Sequence, residues 1–269
     1  MVPPVRTVLN FLVVLFNQGL SYSALNTARS ALSTFIMLDN TPAGSHHLIV
    51  RFMKGVFNKR PYLPKNTVTW DVSIVLRYFT TLPFNKYLSR KILTLKLSVL
   101  LALLSGQRLQ TLKALDINNL QITSDKVSFQ IGEKLKQTRP NFHLGGFELA
   151  SYKDEKLCIV HLMREYLRRT KSSRTSPQLL LCYVKPFGAA SRSTIARWFK
   201  TMLNKAGVNM QAFTPHSVRS ASTSKAFAAN VPLETLLKQA GWSNAKTFAK
   251  FYHKPIKDST AFSKAILKA

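Results

Sequence analysis

A chain of 269 residues with 46% hydrophobic residues and a mean hydropathy of −0.02 can bury a sizeable core in one large domain or two unequal ones, which excludes a disordered chain. Its 39 lysines and arginines face 11 acids, a formal charge of +28; self-repulsion on that scale is costly to a compact fold unless a polyanion neutralises it, so the charge points to nucleic acid. A membrane span is excluded, because the apolar run from Ile92 to Leu104 is interrupted by Lys96 and is too short.

Residues 8–57 carry apolar side chains at helical spacing: Val8 to Phe16, then Leu25, Ala28, Leu32, Phe35 and Ile36, then Leu48 to Phe57. Breaks fall at Gly19 and over Thr41 to Gly44, so a small all-helical unit is expected. The opening run follows Arg6 as in a secretory leader, but it contains Asn10 and no clear small-residue cleavage site follows; it reads as a core helix. Lys59 to Asn66, with two prolines and three basic residues, reads as a linker. The expected organisation is a helical unit over residues 1–60 and a second domain over residues 61–269.

That second domain opens with helices near residues 71–79 and 89–104. Between Asn119 and Tyr152 the period shortens: NLQI, VSFQI and FHLGGFELA are β-prone, separated by turn-prone and basic residues, and predict a small antiparallel sheet. Helices return near residues 157–169, 193–206, 215–229, 232–239 and 244–251. Thr214 with Pro215, and Pro232, suit helix starts, while Gly207 and Gly241 suit stops. The fold class expected is mainly α with a small antiparallel β-sheet. Cys158 and Cys182 lack metal-ligand spacing and read as small apolar residues.

Three segments carry chemistry. In SGQRLQTL, Arg108 follows a small-residue turn at the end of a buried helix, where it can be held rigidly toward an anion. In FTPHSVRSAS, His216 and Arg219 lie three apart on a helix expected to begin at Pro215, sharing a face beside free backbone N–H groups that favour phosphate. An ordinary surface pair is the bland reading of such spacing. In AGWSNAKTFAKFYHK, Trp242 precedes a short helix and Tyr252 lies at its far end beside His253 and Lys254, cations that favour a phenolate nucleophile.

Together these segments resemble the catalytic domain of the phage-integrase-like tyrosine recombinases, over roughly Pro64 to Pro255. The order is the shared feature: arginine, a hairpin lysine, His-x-x-Arg, then histidine or tryptophan, then tyrosine. FTPHSVRSASTSKA, GWSNAKTFAKFYHKP and ARWFKTMLNKAGV are similar in particular to recombinases of DIRS-like retroelements of animals. The resemblance implies that Arg108 and Arg219 bind the scissile phosphate, that His216 assists proton movement, and that Trp242 packs against the nucleophile and donates its indole N–H. Tyr252 would attack to give a 3′-phosphotyrosyl bond. A hairpin lysine would protonate the leaving 5′-oxygen; Lys136 matches best and Lys134 competes.

Two positions depart from the family pattern: Thr111 stands where an acid is frequent, and Phe251 stands at the usual tyrosine spacing from Trp242. Relatives carry further N-terminal helices, so the unit over 1–60 is expected to be a shortened DNA clamp. The resemblance implies no cofactor and no metal, double-stranded DNA as substrate, four protomers on two DNA sites and a nuclear location. The tail from Ile256 to Ala269 is amphipathic enough to dock on a neighbour or to form a simple terminal helix. A non-enzymatic, decayed or domesticated DNA-binding protein and a type IB-like topoisomerase are the competing readings.

Overall fold

Three helices and a minimal hairpin build the N-terminal part of the chain. The computed structural model describes residues 3–61 and 67–255, and the chain divides into two units, Met1–Lys65 and Asn66–Ala269. In the first, α1 (Val5–Asn17), α2 (Tyr22–Phe35) and α3 (His47–Lys59) bury Val8, Leu12, Ile49, Leu25, Met53 and Val56. The break expected over Thr41 to Gly44 holds β1 (Met37–Leu38) paired antiparallel with β2 (Thr41–Pro42), so the unit is not purely helical. Phe35, counted among the apolar positions of α2, is exposed.

The linker expected from Lys59 begins later. Lys59 closes α3, and Arg60 Nη1 donates to the carbonyls of Phe16 and Leu20 while its guanidinium lies over the Phe16 ring. Those bonds reach the last turn of α1 and the loop that follows it, which binds Arg60 to the unit. Most of the expected linker, residues 62–66, and the tail from Ile256 lie outside the described residues.

The second unit is organised around α5 (Arg90–Ser105), a helix buried on nearly every face. Ser89 caps its start, and Gly106 closes it at φ 62°, a left-handed conformation that a side chain resists. Before it comes α4 (Val72–Thr81), capped by Asp71; after it comes the short α6 (Leu109–Lys113). The sheet follows as β3 (Leu120–Ile122), β4 (Lys126–Gln130) and β5 (Gly146–Ala150), antiparallel in that order. Val127 faces Leu149 and Phe129 faces Phe147, so the period-2 pattern turns one face to the core and leaves Lys126, Ser128 and Glu148 outside.

Helices α7 (Ile159–Thr170), α8 (Arg192–Lys205) and α9 (Ser217–Ala228) pack on α5. The chain then forms α10 (Leu233–Ala240) and α11 (Ala245–Phe251). Two helix starts differ from expectation. The Thr214 carbonyl accepts from the backbone N–H and the hydroxyl of Ser217, closing a turn through Pro215 and His216, so α9 begins at Ser217 with His216 at its cap. Pro232 likewise occupies the cap of α10 rather than its first turn. Cys158 is buried, accepting from the Tyr152 N–H, and neither cysteine forms a disulfide. Among the described residues no helix is long and apolar enough to cross a membrane.

Candidate active site

The left-handed turn at Gly106 swings the chain out of the core and leaves Arg108 at the cap of α6. Its Nη1 donates to Gln137 Oε1 at 3.1 Å. Gln137 and its neighbour Lys136 belong to the segment of residues 131–145 between β4 and β5. An open pocket of about 490 Å³ is lined by Arg108, Lys136, His216 and Tyr252, together with Leu109, Gln110, Gln137 and Arg192. Lys134 is not among its lining residues.

Tyr252 follows the last turn of α11, and its Oη lies 3.4 Å from His216 Nε2, the long limit of a hydrogen bond. Trp242 packs against the tyrosine ring with centroids 4.7 Å apart and the rings tilted by 47°, and Phe248 packs behind both. The Tyr252 backbone is held too: Ser224 Oγ on α9 donates to its carbonyl at 2.8 Å and accepts from the Lys254 N–H at 3.0 Å. Phe251, at the family's usual tyrosine spacing, points to solvent and does not line the pocket.

His216 and Arg219 do not present one shared face. His216 turns to the pocket, whereas Arg219 is 2% exposed. Its Nη1 donates to the Gly106 carbonyl and its Nη2 to the Ala240 carbonyl, each at 2.8 Å. These are the residues that end α5 and α10, so one guanidinium satisfies orphan carbonyls of two helices. Its carbon lies 4.2 Å from the Trp242 ring centre and 5.2 Å from that of Tyr252. Arg219 and Trp242 thus sit behind the pocket rather than on its wall.

The electrostatics are one-sided. Burial, reinforced by Arg108, lowers the Arg219 pKa to about 9, with Tyr252 opposing the shift. Desolvation, then Arg219, Arg108, Lys136 and Lys254, hold the His216 imidazole below its ordinary range, so the ring is neutral at neutral pH and Nε2 can accept a proton. No acid among the described residues lines the pocket. Among the described residues no group of three His, Cys, Asp or Glu side chains could hold a metal ion. Arg219 Nε and Trp242 Nε1 are buried donors without hydrogen-bond partners among the described residues, and so is the buried Thr111 hydroxyl, at the family's acid position.

Besides the apolar Leu109, sequence reasoning missed three polar pocket residues. Gln110 and Gln137 adjoin candidates it found, but a glutamine carries no charge to draw notice. Arg192, at the start of α8, is separated from every motif in the chain; only its place on the pocket wall singles it out, and it makes no hydrogen bond or ion pair to the described residues.

No curated protein matches the chain. The fold is similar to that of the Tn1549 transposon integrase in complex with transposon right-end DNA, with a TM-score of 0.63 and 14% identity over 99% of this chain and 86% of that one. It is also similar to XerH site-specific recombinase bound to its difH substrate, with a TM-score of 0.53 and 12% identity over 93% and 72%. A lambda integrase dimer bound to a core site gives a TM-score of 0.53 and 15% identity over 94% and 80%. The phage integrase family matches residues 82–257, well over half of the chain and a span that includes Arg108, Lys136, His216, Arg219, Trp242 and Tyr252. The chain therefore belongs to the phage integrase family, the tyrosine recombinases.

Proposed function

We propose that this protein is a site-specific recombinase of a mobile element that cuts and rejoins DNA through a 3′-phosphotyrosyl intermediate. One observation carries the reading: the Tyr252 hydroxyl faces a neutral His216 on the wall of a pocket that also carries Arg108 and Lys136 and, among the described residues, no acid. A phosphate in that pocket meets donors on several sides, which is what charge growing on its non-bridging oxygens requires. The Tyr252 Oη–phosphorus bond forms as the bond to the 5′-oxygen breaks. The phenol proton passes to His216 Nε2, and the Lys136 ammonium gives a proton to the departing 5′-oxygen. Arg219 acts from behind, its cation beneath the tyrosine ring, and the free Trp242 N–H is a further donor.

The phosphotyrosyl bond conserves the energy of the broken phosphodiester, so rejoining needs no nucleotide. The first unit serves as a DNA clamp, and four protomers act on two sites in the nucleus. The likeness of FTPHSVRSASTSKA and GWSNAKTFAKFYHKP to DIRS-like elements supports the mobile origin. A DNA-binding protein that no longer cuts is the second reading, favoured by the unpartnered Thr111 hydroxyl at the acid position.

The test is a set of nicked suicide duplexes carrying DNA that flanks the coding sequence, run on a denaturing gel. The expected outcome is a covalent protein–DNA adduct that Tyr252→Phe abolishes while salt-sensitive binding persists. Binding without an adduct supports the second reading, and relaxation of supercoils without strand exchange supports a topoisomerase.

A further inference from the structure

A lysine that protonates one oxygen of a phosphate must be fixed relative to the arginine that grips the others. Lys136 is exposed, in a turn that Leu135 and Thr138 close with two mutual hydrogen bonds and that outside the strands is paired by an isolated bridge between Arg139 and Phe142. A flexible side chain on such a segment gives poor positioning by itself, yet two glutamines cross between it and Arg108. Gln137 Oε1, one residue beyond Lys136, accepts from Arg108 Nη1 at 3.1 Å. Gln110 Oε1, on the helix that Arg108 caps, accepts the backbone N–H of Lys136 at 3.2 Å. The two bonds run in opposite senses, one from arginine to segment and one from segment to helix, so the segment is braced against both sliding and rotation.

Gln137 is also wedged on its other side. A Cβ added at Gly241, the turn just before Trp242, would meet Gln137 Nε2 at 3.3 Å and Leu144 Cδ2 at 3.4 Å. That Nε2 is buried without a hydrogen-bond partner. An orphaned buried donor is unfavourable, and methionine would fill the same space without one. What the amide supplies is its carbonyl, the acceptor for Arg108. A carbonyl oxygen on an arginine N–H is also a stand-in for a phosphate oxygen, keeping the guanidinium turned toward the place where the anion binds.

We propose that Gln110 and Gln137 are positioning residues that brace Lys136 against Arg108: Gln110 acts through the lysine and Gln137 through the arginine, which rests on the strand-cleavage reading above. In the step they serve, Tyr252 oxygen bonds to phosphorus, the phosphorus–O5′ bond breaks, and the Lys136 proton goes to O5′.

The test uses the full chain and two duplexes, one with oxygen and one with sulfur at the 5′-bridging position of the scissile phosphate. A thiolate leaves without a proton, so any loss that acts through Lys136 disappears on sulfur. Lys136→Ala is expected to slow adduct formation about 100-fold or more on oxygen and to approach the unmutated rate on sulfur. Gln110→Ala is expected to lose roughly tenfold on oxygen and to recover on sulfur in the same way. Gln137→Met is expected to lose roughly tenfold on both duplexes, as a fault in Arg108 orientation does. The brace is overturned if either glutamine variant cleaves both duplexes at the unmutated rate, or if Gln110→Ala loses equally on both, the mark of a merely structural role. No adduct from the unmutated chain on either duplex overturns strand cleavage itself, a different failure.

Discussion

Lys96 is the residue least expected where it lies. It sits in the middle of α5, fully buried, with its ammonium on Asn85 Oδ1 at 2.9 Å and near the Phe79 ring, and no carboxylate bonds to it. Burial, reinforced by Lys156, brings its pKa down from 10.5 to about 8, with Asp154 and Glu155 opposing. Below pH 8 both folded and unfolded chains carry the proton, and the folded state bears the whole penalty, on the order of 3 kcal/mol. Between pH 8 and 10.5 the unfolded chain holds a proton that the folded chain has released, so stability rises with pH across that window. Lys96→Met removes the penalty but leaves Asn85 without its donor, which costs about 1 kcal/mol. We expect the variant to be the more stable by about 2 kcal/mol at pH 7, with the difference in unfolding free energy shrinking as pH rises above 8 and changing sign before pH 10.5. A gap that is constant with pH contradicts a charged Lys96.

At the scale of elements, the position of Tyr252, the proposed nucleophile, depends on how α11 is fastened. The helix has seven residues and is too short to hold its own end still. Ser224 supplies the fastening from α9, bonding both to the Tyr252 carbonyl and to the Lys254 N–H. Ser224→Ala removes both bonds and leaves a small void in a site that is 4% exposed. A loss of about 1 kcal/mol, or a Tm lower by about 3 °C, is expected in thermal unfolding, with adduct formation slowed about tenfold because the tyrosine is misplaced. An unchanged cleavage rate with the same Tm loss removes the serine from the catalytic account.

The sheet, α4, α5 and the helices from α7 onward were legible because long periodic stretches state their structure locally, whereas the five-residue α6 is too short to carry a period. The start of α9 was not, because Pro215 suits a first helical turn and only the Thr214–Ser217 bonds decide otherwise. Candidate site residues in order along the chain could be named from motifs. That Arg219 is turned inward could not, since it follows from where the ends of α5 and α10 meet.

For the whole molecule the charge of +28 sets how DNA is met. Binding through many phosphates weakens steeply with salt, each contact adding about 0.9 to the slope of log affinity against log salt. Arg192 is placed to make one such contact, exposed on the pocket wall with no bond or ion pair to the described residues. Arg192→Ala is therefore expected to reduce the slope by about one and to weaken binding by a similar factor across unrelated sequences. Titrations at several salt concentrations check this, and an unchanged slope means that Arg192 does not touch DNA.

The inward guanidinium has a consequence for the history of such a chain. Because Arg219 ties the closing turns of two helices together, replacing it damages the scaffold as well as the proposed chemistry, whereas the Tyr252 hydroxyl, which faces the pocket, can be lost without disturbing those turns. Copies that have given up cutting but are retained as folded DNA binders should accordingly keep this arginine while the tyrosine drifts. Survival of Arg219 in a related gene then testifies to folding, and only survival of Tyr252 testifies to strand transfer.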